Sequence, residues 1–303
     1  MGLSKDRFLA IVNPAAGGGK SARLAGPAIA RLRQKALSID VIASTAPGHA
    51  VQLAREAYTQ GYRKFLAVGG DGTVHEILNG IFACKGRPDR VALGFLPLGT
   101  GNSFLRDFTD RGADASLDAI LANHTRSVDV ICLTHSSGKM YSVNILSVGF
   151  TAEVGALANR LFKPLGHLGY LLGVLVGLVQ LKRRAFPLRS DDETEWDTRP
   201  SLFLAFNNSK YTGGTMLIAP DADATDGYIE FVRWGPIGRL DLLRMLPRLY
   251  TGTHLQHPLA SRKGVKHVEF NIPVPVDVLV DGEIFLLECK ALDILPSAVD
   301  IYI

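Results

Sequence analysis

The fold of this chain is decided by the stretch GGDGTVHEILNG, residues 69–80. The apolar run 64–68 before it is typical of a buried strand, and residues 74–83 have the pattern of a helix. Glycines let the backbone approach a ligand closely and turn N–H groups toward it, and Thr73 is of a type that caps helices. The stretch therefore predicts a strand, an anion-binding turn and a helix that Thr73 caps.

The same order of strand, glycine-rich turn and helix is found on both sides of this stretch. Strands are predicted over 7–12, 37–43 and 91–96, and helices after Pro27 and over 48–58. Strands that alternate with helices indicate βαβ units, so residues 1–127 are predicted to form an α/β domain with a parallel sheet. Ligands of such sheets bind at the carboxyl ends of the strands.

Two further glycine-rich turns fall at those ends. NPAAGGGK (13–20) follows the first strand, and PLGTGNSF (97–104) follows the fourth. The first is not a Walker A loop, because Pro14 stands where that motif needs its first glycine. Asp71 offers a carboxylate where a phosphate-bound Mg²⁺ would need an oxygen ligand. Thr45, at the end of the second strand, is in the equivalent place for a nucleotide contact.

From residue 128 onward the sequence has many short strand-like runs. They cover 127–133, 139–146, 201–206, 228–234, 266–272, 276–280 and 284–289, with helical patches at 151–183 and 238–250. This pattern predicts an antiparallel, β-rich second domain over 128–290.

Composition excludes several classes of protein. The chain has 303 residues, of which 47% are hydrophobic and 20% charged, so it is not a disordered protein. A net charge of +4 over two domains argues against a dedicated nucleic-acid binder. Three scattered cysteines and a start without a signal-peptide pattern lead us to expect a cytoplasmic protein.

The segment LGHLGYLLGVLVGLVQL (165–181) has no charged residue and is followed by Lys182-Arg183-Arg184. As a helix it would be about 26 Å long, less than the roughly 30 Å of a bilayer core. A buried helix, a wall of a lipid pocket and an element that touches the bilayer all remain open. We expect peripheral contact with a membrane, because basic residues favour anionic headgroups.

The three glycine-rich motifs, in this order and spacing, resemble the diacylglycerol kinase catalytic-domain family, which includes bacterial lipid kinases and sphingosine and ceramide kinases. The resemblance continues through APDADATDGYIE (219–230) and VDGE (280–283). It implies an α/β nucleotide domain followed by a β-sandwich-like domain, with residues 290–303 returning to the first. His75 stands where many bacterial members have Asn, and is more like sphingosine kinases.

The resemblance also implies roles for individual residues. Glu283 would accept the proton of the lipid hydroxyl, and Asp281 and Asp71 would join a network of water and Mg²⁺. A second, structural Mg²⁺ would bind Asp226 and the main-chain oxygens of Asp223 and Tyr228. ATP would contact Asn13, Pro14, Ala15, Ala16, Gly17, Thr45, Gly69, Gly70, Asp71, Gly72, Thr73, Val74, His75, Glu76 and Thr100.

The sequence thus predicts an ATP-dependent kinase whose acceptor is a membrane lipid, most simply diacylglycerol. A sphingoid base, ceramide or phosphatidylglycerol as acceptor is an alternative. So is an NAD kinase, which shares the GGDGT motif, or a lipid-binding protein on the same fold without catalysis. The oligomeric state is open, a homodimer included. Without the resemblance, Asp281-Gly282 predicts only a two-residue hairpin turn.

Overall fold

The computed structural model describes residues 7–84, 89–99, 101–161 and 183–303. The chain divides into two compact units. The first contains residues 1–130 and 295–303, and the second contains residues 131–294. Thr100 and the apolar segment 165–181 lie outside the described residues, so the interpretations made for them stay predictions.

The first unit has a parallel sheet in the strand order β2-β1-β3-β4. Its strands are β1 (Phe8–Val12), β2 (Ile39–Ala43), β3 (Lys64–Gly69) and β4 (Ala92–Pro97). The helices are α1 (Lys20–Gln34), α2 (His49–Thr59), α3 (Asp71–Phe82) and α4 (Ala113–Leu121). The continuous apolar runs of β1, β3 and β4 are buried, as expected for strands covered on both faces.

Two predicted helix starts are wrong. Helix α1 begins at Lys20, directly after three glycines with positive φ, and Pro27 lies inside the helix rather than before it. Helix α3 begins at Asp71, so Thr73 lies in its first turn and makes no capping hydrogen bond. Before α1 the three glycines with positive φ turn the chain directly into the helix, and before α3 the extended Gly70 leads straight into it, so both helices start earlier than the side chains indicate.

The second unit is an antiparallel β-sandwich. One layer is a six-stranded sheet in the order β15-β14-β11-β7-β17-β18. Its strands are β7 (Ile145–Gly149), β11 (Phe203–Asn207), β14 (Ile229–Trp234), β15 (Ala260–Val265), β17 (Val276–Val280) and β18 (Glu283–Leu287). The facing strands are β9 (Leu188–Ser190) and β16 (His267–Phe270), with parts of β5 (Thr125–His135), β6 (Gly138–Ser142) and β19 (Cys289–Tyr302).

Side chains of both layers form one hydrophobic core. Phe206 of β11 stacks on Phe231 of β14 at 4.8 Å and meets Phe270 of β16 edge-on at 5.6 Å. Short strand pairs lie outside the layers: β8 (Arg184–Ala185) with β10 (Pro200–Ser201), and β12 (Tyr211–Thr212) with β13 (Met216–Leu217). The α-helices formed by the described residues of this unit are α5 (Phe150–Leu161) and α6 (Arg239–Met245). The predicted fold class, α/β followed by a β-sandwich-like domain, is confirmed.

None of the helices formed by the described residues is both long and apolar enough to cross a bilayer.

Candidate functional site

The turn after β1 presents backbone N–H groups. Asn13 holds its start, since its side-chain oxygen accepts the N–H of Ala15 at 3.1 Å. Gly17, Gly18 and Gly19 all have φ between 61° and 85°, and α1 begins next. Within the described part of the chain, the N–H groups of Gly17 and Gly18 donate no hydrogen bond. Such groups before a helix N-terminus are suited to a phosphate.

The turn after β3 is joined to the turn after β4. The N–H groups of Leu98 and Gly99 both donate to the carbonyl of Gly69, at 2.8 and 2.9 Å. A Cβ on Gly99 would overlap the Cα of Gly70, and a Cβ on Gly17 would overlap the carbonyl oxygen of Leu98. The three glycine-rich motifs are therefore in direct contact at the carboxyl edge of the sheet, and only glycine permits the approach.

Asp71 connects these turns through its side chain. Its Oδ2 accepts the N–H of Ser103 at 2.9 Å, so the carboxylate bridges the second and third motifs. The hydroxyl of Thr73 is buried against Gly69 and has no hydrogen-bond partner among the described residues. Val74 is buried, and Gly70 is extended ahead of the helix. Any nucleotide contact of Val74 would therefore use the backbone.

Glu76 and His75 make contacts inside the first unit. The Glu76 carboxylate accepts the N–H of Gly48 at 2.9 Å and of Ala50 at 3.0 Å, which fastens the N-terminus of α2. His75 is 5% exposed and lies beside Asn79, whose side chain donates to the His75 carbonyl. Thr45 lies at the next strand end, where its hydroxyl is 2.9 Å from Nδ1 of His49.

The residues of this edge fit a Mg²⁺-bound nucleotide triphosphate. Backbone donors at Gly17 and Gly18 suit phosphate oxygens, and the Asp71 carboxylate is the oxygen ligand that Mg²⁺ prefers. The structure places the motif residues 13–17 and 69–76 at the same edge of the sheet, and Thr45 shortly after the end of the neighbouring strand β2. Their contacts with a nucleotide stay predictions.

The second unit holds Asp281 and Glu283 on the hairpin between β17 and β18. Val280 pairs with Glu283, so Asp281-Gly282 is the two-residue turn, with φ of 49° and 93°. The Asp281 carboxylate is 3% exposed, and its Oδ1 accepts the Ser142 hydroxyl at 2.5 Å and the N–H groups of Asn144 and Ile145 at 3.0 and 3.2 Å. Glu283 is exposed at the start of β18.

A buried polar cluster beneath this hairpin was not predicted. Asn144 accepts a hydrogen bond from the Ser209 hydroxyl through its side chain, and its carbonyl accepts the Asn208 N–H at 2.8 Å. Asn208 also donates from its side chain to the carbonyl of Val143 at 2.8 Å. The available signal was Asn207-Asn208-Ser209, a polar run that begins at the last residue of the buried strand β11.

The loop predicted to bind a second cation is held together by hydrogen bonds between its own residues. Oδ1 of Asp223 accepts the N–H and the hydroxyl of Thr225, at 3.0 and 2.7 Å, and Oδ1 of Asp226 accepts the N–H of Tyr228 at 2.8 Å. Over the described ranges no group of three or more His, Cys, Asp or Glu side chains could hold a metal. The predicted site uses one carboxylate and two carbonyl oxygens, a donor set that this loop contains, so it stays a prediction.

Comparison with known families gives one match in the first part of the chain and one in the second. The diacylglycerol kinase catalytic domain matches residues 7–133. The YegS C-terminal NAD kinase beta sandwich-like domain matches residues 144–303. This chain belongs to the diacylglycerol kinase catalytic-domain family.

Named relatives extend over nearly the whole chain. A diacylglycerol kinase of Mycobacterium tuberculosis (strain ATCC 25618 / H37Rv) is 28% identical over 280 residues, which are 91% of this chain and 88% of that protein. A diacylglycerol kinase of Staphylococcus saprophyticus is 27% identical over 286 residues, 92% of this chain and 89% of its own.

Solved structures share the fold. The crystal structure of a diacylglycerol kinase from Bacillus anthracis str. Sterne superposes with a TM-score of 0.70 at 18% identity, covering 98% of this chain and 96% of that one. Another chain from the same organism gives a TM-score of 0.74 at 20% identity, with 98% and 97% coverage.

Proposed function

We propose that this protein is an ATP-dependent lipid kinase that transfers the γ-phosphoryl group of ATP to a hydroxyl of a membrane lipid, with diacylglycerol as the first candidate. The observation that carries the proposal is the contact of three glycine turns with one another and with Asp71 at the carboxyl edge of the parallel sheet. Relatives named diacylglycerol kinase support the choice of acceptor.

Phosphoryl transfer depends mainly on positioning and on neutralising charge. In the proposal the N–H groups of Gly17 and Gly18 hold phosphate oxygens, and Asp71 holds Mg²⁺. The bound Mg²⁺ would offset the charge that develops on the transferred phosphoryl group. The hydrogen bond that the Ser103 N–H donates to Asp71 orients this carboxylate.

The proposed base is Glu283. Its carboxylate takes the proton of the lipid hydroxyl as the hydroxyl oxygen bonds to the γ-phosphorus and ADP leaves. Exposure at the first residue of β18 supports this role, because a base must reach its substrate. The buried Asp281 fixes the turn that carries Glu283.

The pair His75-Glu76 does not argue for a sphingoid acceptor. His75 is buried beside Asn79, and both oxygens of Glu76 accept N–H groups at the start of α2. These contacts explain both side chains by packing within the first unit. Diacylglycerol therefore remains ahead of a sphingoid base in the proposal.

We further propose that the protein acts in the cytoplasm at a membrane surface. We also propose that a second Mg²⁺ binds Asp226 and the main-chain oxygens of Asp223 and Tyr228. Loss of stability on chelation, restored by Mg²⁺ in the wild type and not in Asp226→Ala, would support the second cation. An unfolding midpoint that is insensitive to Mg²⁺ would contradict it.

A lipid-panel assay tests the main proposal. The full chain is incubated with ATP and Mg²⁺ in mixed micelles that contain diacylglycerol, monoacylglycerol, phosphatidylglycerol, sphingosine or ceramide, with NAD in a separate reaction. Mass spectrometry should find phosphatidic acid from diacylglycerol. Phosphorylated NAD would favour the NAD kinase alternative. Lipid binding without any phosphate transfer would favour the non-catalytic one.

Two conservative variants assign the roles. Asp71→Asn can still accept the Ser103 N–H but loses its charge, and Glu283→Gln loses its basicity. We expect each to lower kcat by about 100-fold or more, with little change in the unfolding midpoint. A Glu283→Gln protein with full activity would remove Glu283 from the role of base.

A further inference from the structure

The hairpin that carries Glu283 lies at the edge of its sheet. Among the strands formed by the described residues, β18 pairs with β17 alone, so one side of the hairpin has no strand beside it. Glu283 is the first residue of β18 and comes two residues after Asp281. Elements with few neighbours are the first to open locally. The position of Glu283 therefore depends on what holds the turn of this hairpin.

The turn is held through one oxygen of the buried Asp281 carboxylate. This Oδ1 accepts the hydroxyl of Ser142 at 2.5 Å, and the N–H groups of Asn144 and Ile145 at 3.0 and 3.2 Å. The N–H of Asp281 in turn donates to the carbonyl of Ile145 at 2.9 Å. These bonds fasten the hairpin to residues 142–145, the connection between β6 and β7.

The connection 142–145 is itself fastened to the polar run that ends β11. The Asn144 side chain accepts the Ser209 hydroxyl, and the Asn144 carbonyl accepts the N–H groups of Asn208 and Ser209 at 2.8 and 3.3 Å. The Asn208 side chain donates to the Val143 carbonyl at 2.8 Å. We call the four side chains that make these bonds the hairpin network, and each is at most 3% exposed: Ser142, Asn144, Asn208 and Ser209. A continuous path of buried hydrogen bonds thus leads from the end of β11 to the hairpin.

Stability alone is a weak reason for a network of this kind. A buried hydrogen bond adds little net free energy to folding, whereas a buried donor or acceptor that loses its partner is costly. What hydrogen bonds add is direction, because their lengths and angles tolerate only small displacements. A catalytic group needs such direction, since a misplacement of about 1 Å can lower a rate about 100-fold. The network is therefore suited to fixing the position of a side chain.

We propose that Ser142 and Asn144 are positioning residues that act through Asp281 on the base Glu283. Both donate to the Asp281 carboxylate, and the Asn144 side chain connects this contact to the end of β11. Asp281 fixes the turn, and the turn sets the position from which Glu283 meets the lipid hydroxyl. The inference rests on the proposed function, because it takes Glu283 as the base.

Ser142→Ala tests the contact with Asp281. It removes the hydroxyl donor and keeps both N–H donors, so the protein should fold. We expect kcat with ATP and diacylglycerol to fall about 10-fold and KM for ATP to stay the same. The matched control is Ser190→Ala, which removes a similarly buried hydroxyl that donates to Glu193 at 2.8 Å. The control should lose similar stability and keep its kcat.

A double-mutant cycle on kcat separates positioning from a general weakening of the fold. In the Glu283→Gln background no base is left to position, so Ser142→Ala should lower kcat no further. An equal loss in both backgrounds would overturn the proposal. Hydrogen exchange, which needs no activity, should quicken at residues 281–284 in Ser142→Ala and not in Ser190→Ala. Unchanged exchange in both variants would also overturn it.

Asn144→Leu tests the contact with the end of β11. The change keeps the size of the side chain but takes the acceptor from the Ser209 hydroxyl. Adding Ser209→Ala removes that hydroxyl, so the double variant should regain most of the unfolding midpoint that Asn144→Leu loses. Its kcat should still be about 10-fold below that of the wild type, because the tether is gone. Recovery of kcat together with the midpoint would overturn the role of Asn144.

The proposed function and this inference can fail separately. A wild type that phosphorylates none of the lipids, or a fully active Glu283→Gln variant, would contradict the proposed function and the inference with it. An active wild type together with an equally active Ser142→Ala variant would contradict the inference alone.

Discussion

Asp281 combines a backbone conformation that most residues avoid with a buried carboxylate. Its φ is 49°, in the left-handed region, and its side chain is 3% exposed. One carboxylate oxygen accepts three hydrogen bonds, from Ser142, Asn144 and Ile145. The residue thus ties the hairpin that carries Glu283 to the turn between β6 and β7.

Two substitutions at Asp281 should show how much its backbone conformation and its hydrogen bonds contribute together. Asp281→Ala loses the acceptor and is poorly suited to positive φ, so we expect the free energy of unfolding to fall by about 3 kcal/mol. Asp281→Asn keeps an acceptor and tolerates the left-handed region, so about 1 kcal/mol is expected. Urea unfolding measures both. Equal losses for the two variants would show that the three hydrogen bonds contribute little.

Gly17 and Gly18 form a natural pair for a second test. Their φ angles are 61° and 64°, but a Cβ on Gly17 would overlap the Leu98 carbonyl, whereas a Cβ on Gly18 meets nothing within 4 Å. Both alanine variants suffer the same backbone strain. Gly17→Ala should therefore be less stable than Gly18→Ala by about 1–3 kcal/mol, measured by urea unfolding. Identical stabilities would mean that the turns separate at little cost.

At the scale of elements, Glu76 of α3 fixes the start of α2. Glu76→Ala removes a carboxylate that accepts two N–H groups at a helix N-terminus, so a loss of about 1–2 kcal/mol is expected. Glu56→Ala, on the exposed side of α2, should change stability by less than about 0.5 kcal/mol. Hydrogen exchange should speed up at residues 48–52 only in the Glu76 variant. Unchanged exchange there would contradict this account.

The pairing of β16 with β19 should depend on pH. Burial alone would lower the pKa of His267, but its bond to Asp293 at 2.7 Å and its contact with Glu269 outweigh burial and raise that pKa above 6.5. The stabilisation is therefore complete below pH 6.5 and is lost as the pH rises through the pKa of the folded protein.

The difference in unfolding free energy between the wild type and His267→Gln should accordingly shrink as pH rises from below 6.5 through neutrality. Asp293→Asn should flatten the same profile, because it removes the stronger partner of the imidazolium. A difference that stays constant over this range would show that His267 does not gain charge stabilisation in the fold.

How well the elements could be predicted depends on their burial. The strands β1, β3 and β4 are continuous apolar runs between glycine turns, so both the parallel sheet and the meeting of the three motifs could be predicted. In the second unit the prediction merged β6 with β7, because the buried Asn144 between them turns the chain without glycine or proline. It missed β15, whose Ser261, Arg262 and Lys263 are exposed.

At the scale of the whole molecule, the first unit is completed by a distant part of the chain. The chain leaves this unit within β5 and returns within β19, whose end pairs in parallel with β4 through Asp300 and Ala92. Asp300 accepts hydrogen bonds from Arg90 and Ser127, and Tyr302 packs on Phe8 with ring centroids 5.5 Å apart. These contacts cannot be inferred from local sequence patterns.

Tyr302→Ala should therefore destabilise the first unit. The ring is 1% exposed, and removing a buried aromatic side chain costs about 3–5 kcal/mol. Tyr250→Ala, at a tyrosine that is 57% exposed, should change stability by less than about 0.5 kcal/mol. Hydrogen exchange of β1 and β4 should quicken only in the Tyr302 variant. Slow exchange there would show that the returning strand is dispensable.

The parallel pairing of β4 with the end of β19 also affects how the protein is made. On the ribosome, β3 and β4 emerge long before residues 299–302. While the sandwich is synthesised, one hydrogen-bonding edge of β4 is therefore uncovered. An uncovered apolar edge invites pairing with other nascent chains. We therefore expect the newly made protein to depend on chaperones until residues 299–302 have left the ribosome, even though the four strands β1 to β4 of its sheet can pair earlier.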